Sequence, residues 1–337
     1  MYQDIPTLPD RAQSYTKISK IHVLIVGAAG RTGRVISDVI LQESSKFHLS
    51  ILVRDASLNK PIVKELIGAG AEVRIGDISD DVERLELCLE DVDVLISLAP
   101  VLVDQKPLFL AAKRAGVGRV VPSDFGSTAP KGVSIMHDAK YEIQDYIKEL
   151  GLAHTFIEVG TWLYVMLPPL HSAKDTLLTL KSHPAYTTQR TIYSTISTIA
   201  QLVPRIIADP RTLNQTVVAH DGEITLNEAW KIAEKVTGED FSDYYEIPDE
   251  ELEKGSQQTQ NMLKRFVSDF LRSLFVRGDN TLEKAEAMGR LDARKLYEDV
   301  PYANVEEEVK QHYASGFVSL DIGPPDSIIL DVFKKAE

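Results

Sequence analysis

A glycine-rich segment near the start of the chain constrains the fold more than any other feature. Ile21–Val26 is a short run rich in β-branched residues, and the sequence Gly27-Ala-Ala-Gly30-Arg-Thr-Gly33 follows it at once. Apolar residues over 35–40 then recur at helical spacing. A strand, a glycine turn and a helix in this order place backbone N–H groups where they can bind phosphates. A plain tight turn is the alternative. The residues predicted to hold a dinucleotide are those of the turn: Gly27, Ala28, Ala29, Gly30, Arg31, Thr32 and Gly33.

The alternation of strand and helix continues through the first half of the chain. Further strands are predicted over Leu49–Val53, Ala71–Ile75, Val92–Ser97, Arg119–Val121 and His154–Val159. The helices between and after them are predicted over Ile62–Gly68, Val82–Leu89, Gln105–Ala115 and Lys140–Leu150. Strands that lack polar–apolar alternation and are separated by helices indicate a parallel sheet covered on both faces. The expected fold is therefore α/β, a Rossmann-type doubly wound parallel sheet.

The rhythm changes after residue 160. Trp162–Leu170 is aromatic and apolar but too irregular for an assignment. A strand running into a helix, one more strand and a capped helix are predicted over Thr191–Ile207, Thr216–Ala219 and Asn227–Val236. Thr225 and Asn227 are candidate caps of this last helix, and Gly238 is its expected end.

These patterns predict an N-terminal arm, a nucleotide-binding domain and a smaller lobe. The arm covers 1–20 and the nucleotide-binding domain 21–160. Residues 161–337 form mainly a substrate-binding lobe, mostly helical, from which elements near 190–220 return to pack on the sheet.

Composition limits the partners and the compartment. Lys and Arg number 37 against 50 Asp and Glu, a net charge of −13 that repels nucleic acid and anionic membranes. The single cysteine, Cys88, excludes an intramolecular disulfide and a Cys-based zinc cluster, and no metal site is predicted. No apolar run approaches the ~18–20 residues of a membrane helix, and the polar first residues contain no signal-peptide core. A cytoplasmic protein without nucleic-acid or membrane partners is expected.

Arg54, at the end of the second predicted strand, bears on the choice of dinucleotide. An acidic residue at this place binds the ribose 2′-OH of NAD, whereas an arginine accommodates the 2′-phosphate of NADP. Arg31 and Arg34 add positive charge nearby. Asp55 would shift the preference to NAD if it, rather than Arg54, faced the ribose. We favour NADPH/NADP as the cofactor.

Other cofactor contacts are expected at the ends of later strands, because open α/β sheets bind ligands at their carboxyl edge. Asp77 could accept from the adenine amino group, although a helix cap is an equal alternative. The residues predicted to lie against the nicotinamide half of the cofactor are Ala99, Pro100, Ser123 and Phe125.

The catalytic pair of most short-chain dehydrogenases, Tyr-x-x-x-Lys, does not occur: none of the twelve tyrosines has Lys four residues later. Instead, Arg119-Val-Val-Pro-Ser-Asp-Phe-Gly126 is followed about fourteen residues later by Lys140. With these segments, the sequence resembles the NmrA-like atypical short-chain reductases of the isoflavone reductase, pinoresinol–lariciresinol reductase and phenylcoumaran benzylic ether reductase group. Thr155-Phe-Ile-Glu-Val-Gly-Thr-Trp162 and Asp209-Pro-Arg-Thr-Leu-Asn214 are similar to further family segments, so the resemblance runs over about 21–236.

The resemblance implies NADPH-dependent reduction of an aromatic, phenylpropanoid-like or related secondary metabolite, with Lys140 as the active-site lysine and as a further cofactor contact. A lysine desolvated beside the nicotinamide would have a lowered pKa and could shuttle a proton. The alternative is a surface lysine paired with Glu142 or Asp138. Gly160-Thr161-Trp162 stands where the family has Asn-Phe-Phe, so the substrate pocket is expected to be remodelled. The longer arm and the Trp/Tyr pattern are more typical of fungal members.

Candidate substrate contacts come from the segments around Lys140 and after the last core strand. The alternatives are contacts between lobes and, for the histidine, a merely positional role. The residues predicted to contact substrate are Phe125, Met136, His137, Gly160, Trp162, Tyr164 and Met166.

Three functions stay open on this reasoning. A reductase is favoured by Lys140. An NmrA-type regulator that senses NAD(P) and binds a partner protein would bind the nucleotide without turnover. An epimerase or dehydratase would use the nucleotide transiently, without net consumption. The sequence also leaves a homodimer open.

Overall fold

The computed structural model describes residues 20–173, 181–185, 188–257 and 260–315. The predicted arm, 1–20, lies outside the described residues except for Lys20. No helix within these ranges is both long and apolar enough to cross a membrane.

Five parallel strands form the central sheet. They are β1 (Ile21–Val26), β2 (Phe47–Val53), β3 (Glu72–Ile75), β4 (Val94–Ser97) and β5 (Arg119–Val121). Their order across the sheet is β3-β2-β1-β4-β5, and every pairing is parallel. The strand order reverses between β1 and β4, which is the switch point where Rossmann folds bind nucleotides. The predicted fold is confirmed.

Helices cover both faces of this sheet. They are α1 (Arg31–Gln42), α2 (Pro61–Gly68), α3 (Val82–Cys88), α4 (Lys106–Ala115) and α5 (Ile135–Glu149). Successive residues of a strand point to opposite faces, so Ile25 packs in the core layer that contains Ile36 of α1. Leu24 packs in the opposite layer with Phe109 of α4. Burial on both sides explains the strands' lack of polar alternation.

Eight further strands and eight further helices follow in the rest of the described chain. The strands are β6 (Thr155–Glu158), β7 (Thr161–Trp162), β8 (Ser182–Pro184), β9 (Arg190–Ser194), β10 (Gln215–Val218), β11 (Gly222–Thr225), β12 (Tyr245–Ile247) and β13 (Leu291–Asp292). The helices are α6 (Leu163–Met166), α7 (Ile196–Ala208), α8 (Leu226–Thr237), α9 (Asp249–Ser256), α10 (Met262–Leu271), α11 (Leu282–Ala287), α12 (Ala293–Leu296) and α13 (Val305–Ala314), with a π-helical turn over Arg272–Val276.

The second half of the chain extends the central sheet. A parallel bridge between Val120 and His154 joins β5 to the start of β6. β10 pairs with β6, and β13 with β10, both in parallel. α7 packs on α1, with Ile199 and Val203 in the same apolar layer as Ile36. α7 therefore packs over one face of the sheet, and β10 extends the sheet through β6.

Capping side chains decide where two of the helices begin. α5 begins at Ile135, because the Ser134 hydroxyl caps it by accepting from the backbone N–H of His137 at 3.3 Å. Lys140 therefore lies in the second turn, not at the helix start. For α8, Thr225 forms a capping box with Glu228, so Asn227 lies inside the helix instead of capping it.

Candidate active site

The glycine turn between β1 and α1 has the geometry that phosphate binding requires. Gly27 adopts a φ of +82°, and the Gly30 N–H donates to the Gly27 carbonyl at 3.0 Å. A Cβ on Gly33 would lie 2.3 Å from that carbonyl oxygen. Gly30 caps α1 without a side-chain hydrogen bond, and no acidic residue occupies the first turn of the helix. The amides at this helix end therefore have no side-chain acceptor of their own and fit a dinucleotide phosphate.

Gly33→Ala should disrupt this turn. The added methyl group has no room against the Gly27 carbonyl, so we expect a stability loss of about 1–3 kcal/mol and a clear loss of NADPH affinity. Fluorescence titration and thermal unfolding measure the two effects. Gly68→Ala in α2 is the matched control, because a Cβ there meets nothing within 4 Å. Unchanged NADPH affinity in Gly33→Ala would show that the phosphates bind elsewhere.

The turn opens into a cleft of about 1050 Å³ at the carboxyl edge of the sheet. Three further segments meet the turn there: the loop after β4, the loop after β5 and the segment 161–168. The structure thus brings together most of the predicted cofactor and substrate residues. Those that line the cleft are Gly27, Ala29, Gly30, Arg31, Thr32, Gly33, Pro100, Ser123, Phe125, Trp162, Tyr164 and Met166.

Several predicted contacts do not line the cleft. Ala28 and Ala99 are buried. Gly160 adopts a φ of +66°, and a Cβ there would lie 2.5 Å from the Ile192 carbonyl oxygen. This glycine therefore lets the chain cross β9 closely. A direct ligand contact by any of these three stays a prediction.

The predicted 2′-phosphate residue lies on the surface. Arg54 is exposed, and its Nε is 3.7 Å from Asp77 Oδ2. Asp77 also accepts from the backbone N–H and the hydroxyl of Ser79, and these hydrogen bonds lower the pKa of its carboxyl. Asp55 begins a single exposed 3₁₀ turn. Arg54 is thus positioned by a weak surface ion pair that a phosphate could replace.

His137 and Met136 lie on the first turn of α5, and neither of them lines the cleft. His137 is buried, with Nδ1 2.8 Å from the Ser134 hydroxyl and Nε2 3.0 Å from the Ser127 carbonyl. Burial and the nearby Lys140 lower its pKa to about 4, so the ring is neutral at pH 7. These contacts account for the buried position of His137. Substrate contact by His137 or Met136 stays a prediction.

Lys140 lies in a small recess beside the cleft. Its ammonium donates to the Asp124 carbonyl at 3.1 Å, and it lies so close to Gly126 that a Cβ there would be 2.6 Å from Nζ. Burial lowers the pKa of Lys140, opposed by the negative charges of Asp124 and Glu158. Ser123 lines both the recess and the cleft, so the two spaces meet at this residue.

Buried carboxyl groups surround Lys140. Burial raises the pKa of Asp124 to about 6 although Lys140 opposes the shift, and its carboxyl accepts from the Gln144 amide at 2.5 Å. Glu158 is paired with Arg290, the closest contact being 3.1 Å between Oε1 and Nη2. Lys140 therefore lies among buried charges, where a low effective dielectric makes protonation sensitive to small displacements.

An apolar wall lines part of the cleft, and sequence reasoning missed it. α10 and the π-helical turn supply Phe266, Val267, Phe270, Leu271, Leu274 and Phe275. Their spacing of three and four residues indicates an apolar face of one helix. What that face covers depends on how the lobe folds over the sheet, which the spacing does not specify.

An aromatic contact joins the phosphate turn to the smaller lobe. The guanidinium of Arg31 lies 3.9 Å above the centre of the Tyr164 ring, and Tyr164 stacks with His312 of α13 at 6.5 Å between ring centres. Burial raises the pKa of Tyr164 to about 12 and lowers that of His312 to about 4. Near neutral pH, both side chains are therefore uncharged.

The sequence model of the NmrA-like family matches residues 19–308. Asnovolin J 5′,6′-dehydrogenase of Aspergillus novofumigatus is 32% identical over 86% of this chain and 95% of its own length. Phenylcoumaran benzylic ether reductase Pyrc5 of Pyrus communis is 28% identical over 87% of this chain and 99% of its own. The chain belongs to the NmrA-like family, and the predicted assignment to its isoflavone reductase-type oxidoreductases is confirmed.

Solved structures share the fold. The complex of leucoanthocyanidin reductase with NADPH from Vitis vinifera superposes with a TM-score of 0.71 at 22% identity, over 87% of this chain and 99% of that one. The smaller lobe is therefore part of a shared architecture, since the match extends well beyond the nucleotide-binding domain.

Proposed function

We propose that this protein is an NADPH-dependent reductase of a bulky, uncharged aromatic or conjugated metabolite, in which Lys140 moves the proton. The observation that carries the proposal is the cleft itself, which is lined both by a phosphate-binding turn and by an apolar wall. The cofactor is NADP(H), which the residues of the turn fit and with which the Vitis vinifera reductase was solved.

The lining of the cleft indicates the substrate class. Arg31 and Arg34 line the cleft at the start of α1, and the described lining residues include no Lys, Asp or Glu. Aromatic and aliphatic side chains from α6, α10 and the π-helical turn form much of the remaining lining. An apolar pocket with few polar groups favours a neutral ligand with a large ring system. A secondary metabolite of this kind agrees with the names of the curated relatives.

Lys140 is the side chain best suited to move a proton at this site. NADPH, when bound, supplies the hydride. A lowered pKa lets the Lys140 ammonium release its proton nearer to neutral pH than an exposed lysine does. The raised pKa of Tyr164 and the lowered pKa values of His137 and His312 make these groups poor proton carriers near neutral pH.

Turnover tests the proposal directly. The purified protein is incubated with NADPH and a panel of neutral aromatic and conjugated metabolites, while NADPH absorbance and the product masses are followed. We expect NADPH oxidation that depends on the substrate and a product heavier by two hydrogens. Tight NADPH binding without turnover across the panel would support a nucleotide sensor, and an isomerised or dehydrated product without net NADPH loss would support an epimerase or dehydratase.

Arg54→Ala tests the predicted cofactor preference. A charge-assisted contact with the 2′-phosphate contributes about 1.5–3 kcal/mol, so NADPH should bind at least about tenfold tighter than NADH. Arg54→Ala should remove most of this difference without changing NADH affinity. Lys60→Ala, which removes an exposed cation six residues away, is the matched control. Equal affinities of the unaltered protein for the two nucleotides would refute the assignment.

A further inference from the structure

Three potential metal ligands converge at the amino edge of the central sheet, opposite the cleft. His22, His48 and Glu72 stand at or next to the first residues of β1, β2 and β3. His22 pairs in register with His48. Glu72 pairs in register with Ser50, which lies on the same strand as His48. The three side chains therefore share one face of the sheet, and one ligand atom from each lies within 4.8 Å of the other two.

Hydrogen bonding fixes the ring of His22 in the form that a metal needs. Nδ1 lies 2.7 Å from the Asp91 carbonyl, which can only accept, so Nδ1 carries the proton. Nε2 then holds a lone pair, and it accepts from the Ser50 hydroxyl at 2.7 Å. A ligating histidine held by a backbone carbonyl through its second nitrogen is the usual arrangement in metal sites.

The other two ligands are accessible from solvent. The side chains of His48 and Glu72 are 43% and 42% exposed, and His48 Nε2 lies 2.9 Å from Glu72 Oε2. Arg74 Nε contacts the other oxygen, Oε1, at 2.8 Å. Oε2 thus contacts the His48 ring while Oε1 lies against Arg74, which favours a carboxylate that binds through one oxygen.

We propose that His22 Nε2, His48 Nε2 and Glu72 Oε2 form a binding site for a divalent transition-metal ion of the zinc type. Two imidazoles and one carboxylate are a ligand set that zinc accepts, with water in the fourth position. The ion ties together three adjacent strands at the edge away from the cleft, so its role is to stabilise the sheet. Because the ligands are 24 and 26 residues apart in sequence, no local motif announces the site.

A zinc titration tests this proposal. The full chain without an affinity tag is titrated with Zn²⁺ in competition with a coloured chelator, and thermal unfolding is recorded with and without Zn²⁺. We expect one high-affinity equivalent and a higher unfolding temperature with zinc, because an ion that binds only the folded state stabilises it. His48→Ala and Glu72→Gln should each weaken zinc binding by about 100-fold or more, since even outer partners of a ligand contribute about 10–100-fold.

His171→Gln is the matched control. His171 is also a surface histidine between carboxylates, but Glu239 and Asp243 contact different ring nitrogens, so no single point is shared by all three groups. This variant should bind zinc like the unaltered protein. Circular dichroism without metal verifies that each variant is folded. Failure of the unaltered protein to compete with the chelator, or equal zinc affinity in the His48→Ala and Glu72→Gln variants, would overturn the proposal.

Discussion

Lys140→Ala is expected to lower kcat by about 10²–10⁴-fold, the usual contribution of a positioned proton donor or acceptor. NADPH affinity should change little, because the turn Gly27–Gly33 and Arg54 supply the predicted phosphate contacts. Steady-state kinetics with a substrate found in the panel assay, together with NADPH titration, separate the two effects. Lys148→Ala, which removes an exposed lysine from the same helix, should leave both quantities unchanged.

Two further variants separate proton transfer from charge and position. Lys140→Arg keeps the positive charge but cannot release its proton near neutral pH, so it should restore little activity. Reduction consumes a proton, so kcat of the unaltered protein should fall as pH rises through the lowered pKa of Lys140. This decline should be absent in Lys140→Arg. Gly126→Ala keeps Lys140 in the chain but should displace its ammonium, because the new methyl group would lie 2.6 Å from Nζ.

If Lys140→Arg restores turnover, the residue acts through its charge alone. If Lys140→Ala keeps full turnover, the proton reaches the substrate by another route, through Ser123 or water at the junction of the recess and the cleft.

The nucleotide-binding half was predictable because its signals are local. The β-branched run of β1, the positive φ at Gly27 and the crowding at Gly33 all belong to one short segment, so sequence and structure agree there. The strand order follows from alternation of strands and helices and from the chirality of their connections. The start of α5 was misplaced although Ser134 is a good cap, because the pattern of apolar residues is clear only farther along the helix.

The site was predictable only where it follows a strand end. Ser123, Phe125 and Trp162 follow strands whose carboxyl ends face the cleft. The wall formed by Phe266, Phe270 and neighbouring residues reaches the cleft through packing between lobes, and that packing depends on contacts distant in sequence. For the same reason, the sequence placed Lys140 at the site but did not reveal the buried carboxyl groups beside it.

Arg290→Met should destabilise the folded protein by about 3–5 kcal/mol, the loss typical of leaving one partner of a buried ion pair alone. The side chains of Arg290 and Glu158 are only 10% and 7% exposed. Arg290 also donates to the Tyr141 hydroxyl at 3.0 Å and to the Met288 carbonyl at 3.1 Å. It thereby connects β6 to α5, the helix that carries Lys140. Urea unfolding with linear extrapolation measures the loss.

Arg205→Met is the matched control for this prediction. Arg205 pairs with Asp299 at 2.6 Å, but the two side chains are 40% and 68% exposed, so its loss should be about 0–1 kcal/mol. Adding Glu158→Gln to Arg290→Met removes the unpaired carboxylate and should recover part of the stability, a coupling that the double-mutant cycle reports. If Arg290→Met and Arg205→Met lose the same stability, burial does not distinguish the two pairs. The connection between β6 and α5 would then rest on apolar packing, and the charges around Lys140 would serve its protonation and not the fold.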